Sequence, residues 1–371
     1  MKISDSGDSI QNTGKRANGR GHNTSIDVAK LAGVSQATVS RAFNPASKMN
    51  PSTRQRVLDA ASALKYAPDA IARSLISNST NIVAVIMQNT TNPFYATVLS
   101  KLSIRLRSMG KQILFFYLDD EGHMKDLIHQ ILQYRVDGIL ITSVTLTSDL
   151  ADTCVDFGVP VVLFNRYMNT PGIQAVCCDN VQAGRDCADY FFMKGYRSFA
   201  FIGGHDEAST SHDRRRGFVS RLEERGIHDC PVINTPFTYE GGRGRLRRLL
   251  EQEGTCPKAL FCVSDLVCAG VLDCARSEYR LRVPEDAAVI GFDDIELASY
   301  SAYSITSFVQ PMDSMIDRVL DSAAVREAAL GIHQPDAFPL HLKDQGHRMT
   351  RRCLSSVPPH CSVLDSLHAS A

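Results

Sequence analysis

Two hydrophobic patterns divide this chain into two parts. Up to about residue 80, short stretches with helical spacing predict small helices, and Val34, Val39 and Phe43 would pack two of them together. Beyond that point, short β-branched runs such as 82–87 alternate with helical stretches such as 94–109. This alternation predicts parallel sheets covered by helices on both faces, enough for two lobes. The fold class is therefore α/β, preceded by a small all-α unit.

The second part contains seven predicted strands and five predicted helices. The strands are expected at 82–87, 112–118, 138–141, 159–164, 198–202, 259–263 and 288–291, and the helices at 94–109, 125–134, 183–194, 215–224 and 266–277. Open α/β sheets bind ligands at the carboxyl ends of their strands. The polar residues that follow these strands are therefore candidates for one ligand cleft between two lobes.

Residues 24–44 have the pattern of a helix, a tight turn and a second helix. Gly33 lies where the first helix must stop, because glycine turns there without a Cβ clash. Ser35 suits the N-cap of a helix over 36–43. The outer face of that helix carries Gln36, Ala37, Thr38 and Arg41. Such a face enters the DNA major groove in helix-turn-helix proteins, although a helical hairpin of an ordinary domain would share this geometry.

A third helix and a short linker follow. Pro51 opens the helix, with Ser52 or Thr53 as its cap, and the helix ends before Pro68. Residues 68–75 predict a helix too short to be stable alone, so it would become ordered on a partner. Leu75 is then either a side chain that contacts the partner or a core residue of a linker.

Charge is unevenly distributed between the two parts. Residues 1–80 carry 11 Lys and Arg against five Asp, whereas the remainder carries 29 basic against 35 acidic residues. A basic head on an acidic body indicates phosphate binding at one end only. Residues 1–23 read as a disordered tail without the apolar segment of a signal peptide.

Composition argues against enzymes, metal sites and membrane spans. The chain has no P-loop, GxSxG, HExxH or CxxC motif, and its 11 His show no ligand spacing, so we expect no catalytic residue, metal or cofactor. All 11 Cys follow residue 150, scattered through strands and helices that look buried, which favours reduced thiols and a cytoplasmic protein. No apolar run reaches about 18 residues, the length of a membrane helix.

The segment Val34-Ser35-x-x-Thr38-Val39-Ser40-Arg41 closely resembles the headpiece of the lactose-repressor (LacI) family of bacterial transcription regulators. The resemblance extends from about residue 24 to about 351. It implies a helix-turn-helix headpiece and an effector domain of two lobes, similar to periplasmic sugar-binding proteins. The DNA-binding residues that we predict are Ser35, Gln36, Ala37, Thr38, Ser40, Arg41, Asn44, Ala72 and Leu75.

Their expected roles differ. Gln36 and Ala37 would face base edges, and Arg41 would bind guanine or phosphate. Thr38, Ser40 and Asn44 would contact the DNA backbone. In the family, the segment that corresponds to 68–75 is a hinge helix in the minor groove, where Leu75 would wedge a base step open.

The resemblance also implies six effector contacts: Phe94, Asn165, Arg166, Arg214, Ser264 and Asp293. Ser264 departs from the asparagine that the family usually has, which indicates a smaller, differently placed or water-bridged effector. Arg214 could instead pair with Asp213 or Glu207 on the surface. Asp293 could instead be a turn or cap residue. An arginine and an aspartate across a cleft suit sugars or sugar acids, and an arginine also suits a carboxylate or phosphate.

The predicted organisation is a tail (1–23), a headpiece (24–67), a hinge and linker (68–80), an effector and dimerisation domain (81–350) and a flexible extension (351–371). The N-lobe comprises about 81–180 and 308–332, and the C-lobe about 181–305 and 333–350. We expect a homodimeric repressor that binds a pseudo-palindromic operator under control of a sugar or related metabolite. The alternatives are a transport-type solute-binding protein and an enzyme with a DNA-binding head.

Overall fold

The computed structural model describes residues 23–44, 47–68, 79–88, 90–142, 147–168, 173–204, 208–322, 336–338 and 341–343. The chain divides into two compact units, one up to Asn78 and one from Ser79 onward. The predicted tail up to residue 22, most of the predicted hinge (69–78) and the extension 351–371 lie outside the described residues.

The N-terminal unit is a three-helix bundle. Its helices are α1 (Ser25–Ala32), α2 (Gln36–Ala42) and α3 (Pro51–Ala63). Gly33 ends α1 in the left-handed conformation (φ 62°), and Ser35 caps α2, both as the sequence predicts. The bundle has a core of small and β-branched side chains, with Val34 and Phe43 packed against it: Val28, Ala29, Ala32, Val39, Ala42, Val57, Ala60 and Ala61.

One local expectation for this bundle is wrong. The cap of α3 is Asn50, not Ser52 or Thr53, because the Asn50 side chain accepts a hydrogen bond from the Ser52 amide (2.9 Å) and Pro51 occupies the first helical position. On α1, Val28 faces the core, whereas Ile26 is 50% exposed.

The second unit contains two six-stranded sheets, one in each lobe. The first sheet has the order β11-β5-β4-β3-β1-β2 and is entirely parallel. Its strands are β1 (Ile82–Met87), β2 (Gln112–Tyr117), β3 (Gly138–Thr142), β4 (Val161–Phe164), β5 (Ile173–Cys178) and β11 (Asp336–Phe338). Its helices are α4 (Pro93–Ser108), α5 (Met124–Gln133), α6 (Ser148–Asp156) and α11 (Met312–Leu320).

The second sheet has the order β12-β10-β9-β8-β6-β7, with only β12 antiparallel to its neighbour. Its strands are β6 (Phe199–Gly203), β7 (Val232–Asn234), β8 (Ala259–Cys262), β9 (Ala288–Asp293), β10 (Thr306–Val309) and β12 (His341–Lys343). Its helices are α7 (Asn180–Met193), α8 (Ser209–Glu224), α9 (Tyr239–Glu253) and α10 (Asp265–Asp273), the last continuing as a π-helix over Cys274–Glu278.

Alternation along β1 shows why a continuous apolar run becomes a parallel strand. Val83 and Val85 pack under α4 and α11, while Ala84 and Ile86 face α5 and α6 on the other side of the sheet. Both faces are therefore buried, and no polar position interrupts the run.

Several elements were not predicted or were misplaced. The strands β5, β7, β10, β11 and β12 and the helices α6, α9 and α11 were missing, and α8 begins at Ser209 rather than 215. Glycines within α9 weaken the helical pattern of its sequence. One of them is needed for packing, because a Cβ at Gly242 would overlap the Val267 carbonyl of α10. The chain crosses between sheets after β5, after β10 and between β11 and β12. The last two crossings lie a few residues later than the predicted positions near 305–308 and 333.

Among the described residues, no helix is both long and apolar enough to span a membrane.

Candidate nucleic-acid interface and effector cleft

The exposed face of α2 carries the side chains predicted to contact DNA. Ser35, Gln36, Ala37, Ser40, Arg41 and Asn44 are exposed and Thr38 is half-buried, while Val39 and Ala42 face the bundle core. This separation follows from helical periodicity, which places Val39 and Ala42 on one side of the helix. Ala72 and Leu75 lie outside the described residues.

Local hydrogen bonds order the amino end of α2. Ser35 Oγ accepts from the Thr38 amide at 3.2 Å, and Gln36 Nε2 donates to Ser25 Oγ at 2.9 Å. Arg41 Nε donates weakly to the Ala37 carbonyl at 3.4 Å, so its guanidinium group remains at the surface. An exposed helix amino end beside an arginine attracts phosphate or the acceptor edges of bases.

In the second unit, Arg214 is a buried cation on α8. Its Nε donates to Asn180 Oδ1 (2.8 Å), its Nη1 donates to the Val263 carbonyl (2.5 Å), and its Cζ lies 3.3 Å from the centroid of the Phe292 ring. Burial lowers the pKa of Arg214, and Asp293 partly opposes that effect. The Nη2 atom is buried without a hydrogen-bond partner among the described residues.

The predicted alternative partners of Arg214 do not account for it. Asp213 pairs instead with Arg216, at 3.2 Å, and Glu207 lies outside the described residues. Arg214 is therefore an internal group of the second lobe, and its pairing with Asp213 on the surface is wrong.

Asp293 lies at the carboxyl end of β9 and connects the two lobes. Its Oδ1 accepts from Gln310 Nε2 at 2.6 Å, and the side chain of Asn92, the N-cap of α4 in the first lobe, also hydrogen-bonds to it. Burial raises the pKa of Asp293 to about 6, although Arg214 and these hydrogen bonds oppose the shift. Asp293 and Asp294 both have positive φ values, 111° and 51°, where the chain leaves β9.

Phe94 and Asn165 belong to the first lobe. Phe94 is buried and stacks on Phe164, with 6.5 Å between the ring centroids. Asn165 has a positive φ (57°), and its Nδ2 lies 3.5 Å from Tyr95 Oη. The Asn165 Oδ1 atom is buried without a hydrogen-bond partner among the described residues.

Arg166 reaches from the first lobe to the second. Its Nη1 donates to Thr210 Oγ1 on α8 at 2.7 Å, and its guanidinium group lies 5.6 Å from the Phe237 ring centroid. Gly204 makes room for that ring, because a Cβ at Gly204 would overlap Phe237.

Tyr167 adds a second link between the lobes. Its amide donates to Ser209 Oγ at 3.2 Å, and its hydroxyl donates to Asp213 Oδ2 at 2.8 Å. Burial and, to a smaller extent, the hydrogen bond to Asp213 raise the pKa of Tyr167 to about 12. The phenol therefore stays protonated and can donate.

Ser264 is the buried N-cap of α10, where its Oγ accepts from the Val267 amide at 3.4 Å. The residue before it, Val263, provides the carbonyl that binds Arg214. Next to Ser264, Asp265 accepts from the Ile295 amide and Ser307 Oγ and thereby holds the loop that follows β9. In this arrangement, the Ser264 side chain caps a helix.

The structure therefore connects four of the six predicted effector residues in two pairs. Asn165 is followed by Arg166 at the end of β4, and Arg214 and Asp293 influence each other's pKa. Among the side chains that support them, Asn92, Asn180 and Thr210 were cleft candidates from the sequence, because they belong to polar sets that follow strands. Sequence reasoning did not identify Tyr167, Phe237 and Gln310.

Comparison with known proteins agrees with this architecture. Residues 26–69 match the lacI family of bacterial regulatory proteins, and residues 188–326 match a periplasmic binding protein-like domain. Catabolite control protein A of Priestia megaterium is 33% identical over 294 residues, which cover 78% of this chain and 88% of that protein. The transcriptional repressor CytR of Escherichia coli K12 is 31% identical over 294 residues, covering 78% and 85%.

Solved structures share the fold. The regulator CelR in complex with cellobiose superposes with a TM-score of 0.65 at 28% identity, covering 87% of this chain and 100% of that one. The Lac repressor bound to ONPG in its repressed state gives a TM-score of 0.76 at 22% identity, covering 87% and 99%. With a three-helix DNA-binding unit, two α/β lobes and relatives of this identity and coverage, the chain belongs to the LacI family of bacterial transcription regulators.

Proposed function

We propose that this LacI-family regulator is a repressor that binds a pseudo-palindromic operator as a homodimer, and that a small polyhydroxylated metabolite bound between its lobes changes its operator affinity. The relative CytR is named a repressor, and one Lac repressor structure of this fold is a dimer bound to operator. Two-fold proteins bind two-fold sites, so the operator should contain two half-sites.

The exposed face of α2 supports the DNA-binding roles. Gln36 would pair with adenine once it leaves Ser25, and Ala37 would contact a thymine methyl group. Arg41 would bind guanine or phosphate, whereas Ser35, Thr38, Ser40 and Asn44 would contact the DNA backbone. Ala72 and Leu75 keep the minor-groove role that family resemblance gives them, so Leu75→Ala should weaken operator binding and leave effector binding intact.

The single observation that carries the effector site is that Asn165 Oδ1 and Arg214 Nη2 are buried without hydrogen-bond partners among the described residues. They belong to different lobes, and Tyr95, whose hydroxyl lies 3.5 Å from Asn165 Nδ2, also influences the pKa of Arg214. A buried polar atom without a partner costs about 1–3 kcal/mol. A ligand hydroxyl can donate to one atom and accept from the other, which recovers that cost.

The charged groups near these atoms suit a ligand with several hydroxyl groups. The carboxyl group of Asp293 offsets the Arg214 cation, and Arg166 donates to Thr210 Oγ1 at 2.7 Å. The half-buried ring of Phe237, beside Arg166, provides apolar surface of the kind that sugar faces contact. The complex of CelR with cellobiose supports a sugar as the first candidate class. Ser264 would serve this site by fixing α10 beside the Val263 carbonyl.

The test begins with selection of duplexes from a random pool by the purified chain at a stated salt concentration, because phosphate contacts make affinity depend on salt. We expect a palindromic motif. Operator affinity is then measured by fluorescence anisotropy with neutral sugars, sugar acids and sugar phosphates. Asp293→Ala should abolish the effector response and keep operator affinity, whereas the exposed control Asp119→Asn should respond like the wild type.

Two results would overturn the proposal. A chain that binds sugars but selects no DNA motif would be a solute-binding protein of the transport type. Chemical conversion of the bound sugar, detected by chromatography after incubation with the protein, would indicate an enzyme with a DNA-binding head.

A further inference from the structure

Asp137 binds the segment at which the chain enters the effector unit. The residue lies directly before β3. Its Oδ2 accepts from Ser79 Oγ (2.8 Å), the Asn81 amide (3.1 Å) and Lys111 Nζ (3.0 Å), and its Oδ1 accepts from the Thr80 amide (2.9 Å) and Thr80 Oγ1 (3.1 Å). One carboxyl group thus binds three consecutive residues and a lysine.

These three residues are the first of the second compact unit, which begins at Ser79. Further hydrogen bonds fix the same segment to the sheet. Thr80 Oγ1 donates to the Arg135 carbonyl at 2.9 Å, and the Asn81 carbonyl accepts from the Gln112 amide at 2.7 Å. Asn81 has a positive φ (56°), so the chain turns sharply before it enters β1. The segment is therefore held in position and in direction.

The interaction is partly shielded from water. The side chains of Lys111 and Asp137 are 13% and 16% exposed and lie 3.0 Å apart. Burial opposes ionisation of Asp137, but hydrogen bonds from Ser79, Lys111 and Thr80 outweigh it and lower the pKa of Asp137. An ionised acceptor makes shorter and stronger hydrogen bonds than a neutral one.

The effector cleft does not use this cluster. Asp137 precedes β3, Asn81 precedes β1, and Lys111 precedes β2, so the cluster lies at the amino ends of parallel strands. Ligand clefts of such sheets form at the carboxyl ends, where Asn165 follows β4. A role in effector contact is therefore excluded by placement, and the cluster instead binds residues 79–81, at which the second unit begins.

We propose that Asp137 is a positioning residue for operator binding, which fixes the point and direction in which the linker leaves the effector unit and so sets the half-site spacing that a homodimer accepts. This inference rests on the proposed function, because it requires two DNA-binding units on one operator. Three released residues would extend the reach of each linker by up to about 10 Å. One additional base pair increases the half-site spacing by about 3.4 Å. Release of these three residues would therefore erase the preference for one spacing.

The experiment compares full-length wild type with Asp137→Asn, which keeps the shape of the side chain and removes its charge. Anisotropy titrations use the selected operator and two versions with one base pair inserted or deleted at the centre. We expect the wild type to prefer the selected spacing by about tenfold or more, and Asp137→Asn to bind the selected operator about tenfold more weakly with less than about threefold preference. Effector affinity should stay unchanged.

A second variant distinguishes loss of the linker contacts from a folding defect in Asp137→Asn. Ser79→Ala combined with Thr80→Val removes the linker's side-chain donors and keeps Asp137 and its ion pair with Lys111, and it should relax the spacing preference in the same direction. Asp119→Asn is the matched control, an exposed acid of the same lobe.

The outcomes are distinguishable. An unchanged spacing preference in either variant, with normal effector binding, would overturn the inference and leave the proposed function standing. Failure of the wild-type chain to select any operator would overturn both. Relaxed spacing with intact effector affinity would support both, because a general loss of stability would weaken effector binding as well.

Discussion

At the scale of single residues, Asp293 is the side chain on which most of the cleft depends. It accepts from Gln310 and Asn92, lies near Arg214 and follows β9, so it connects a strand of the second lobe with a helix cap of the first. Its buried carboxyl group is ionised only because these donors and the cation offset the cost of burial. The protonation state of this one group therefore affects both ligand binding and contact between the lobes.

This dependence predicts a pH effect on effector affinity. A ligand hydroxyl that donates to the Asp293 carboxylate favours the ionised form and lowers its pKa in the complex below the value of about 6 in the free protein. Affinity should then be full above about pH 6 and fall by up to about tenfold per pH unit below it. Isothermal titration calorimetry between pH 5 and 8 measures this dependence.

The matched variant is Asp293→Asn, which cannot ionise and should bind more weakly with a flat profile. The same slope in both proteins would assign the effect to another group, such as the neighbouring Asp265, whose pKa is also raised by burial and by Asp293.

Single residues also show how far the sequence could predict the site. Arg214 and Asp293 could be identified because family resemblance and strand ends both indicate them. Their pairing with Asn180 and Gln310 could not be predicted, because these partners are 34 and 17 residues away along the chain and only the fold brings each pair together. Ser264 was predicted as a ligand contact from its position alone, whereas the hydrogen bond that gives it a capping role depends on where α10 begins.

At the scale of elements, the crossing of α7 and α8 determines where Arg214 lies. Gly184 and Gly217 allow the two helices to touch, because a Cβ at Gly217 would overlap the Val181 carbonyl and one at Gly184 would overlap the Arg214 carbonyl. The backbone of Arg214 is therefore part of the helix contact. Phe218, the next residue after Gly217, then packs into the core of the second lobe.

We expect Gly217→Ala to separate these helices. Overpacking of this kind costs about 1–3 kcal/mol of unfolding free energy, measured by urea denaturation. Displacement of α8 should also move the Arg214 guanidinium from Asn180 and weaken effector binding. Gly244→Ala on α9 is the control, because a Cβ there meets no atom within 4 Å. Equal stability of the two variants would contradict the close crossing.

Elements also differ in how clearly the sequence predicts them. Apolar runs such as β1 and β3 were located within one residue, because both faces of these strands are buried and their central positions are hydrophobic. By contrast, α9 contains three glycines and four arginines, and β7 is three residues long with exposed ends. The place of β7 in the sheet comes from its pairing with β6, which a local pattern cannot show.

At the scale of the whole molecule, the two lobes are joined by three chain crossings and by side chains that bridge the cleft. Arg166 contacts Thr210, and Tyr167 contacts Ser209 and Asp213. Crossings of this kind permit hinge movement, while the bridging hydrogen bonds stabilise the arrangement in which the lobes are close. The two-lobe architecture could be predicted from alternation of strands and helices, but the bridging contacts could not, since they depend on how the lobes meet.

Removing one bridge should shift the balance between open and closed lobes. Tyr167→Phe keeps the ring and loses the hydroxyl that binds Asp213, a change of about 1 kcal/mol or roughly fivefold in affinity. Effector binding should weaken by that factor in calorimetry, mainly through faster dissociation. Tyr134→Phe is the control, because that ring is 48% exposed and belongs to the first lobe. Unchanged binding in Tyr167→Phe would show that this hydrogen bond does not contribute to closure.

The late strands β11 and β12 have a consequence for synthesis on the ribosome. Domains generally fold as units during translation, beginning at the N-terminal end. The three-helix bundle has its whole core within residues 28–66, so it can fold early. Each sheet, however, is completed by a strand near residue 340, so both lobes finish almost together. A nascent chain therefore acquires its DNA-binding part well before it can sense an effector, and premature termination anywhere between would release a DNA-binding fragment that no metabolite controls.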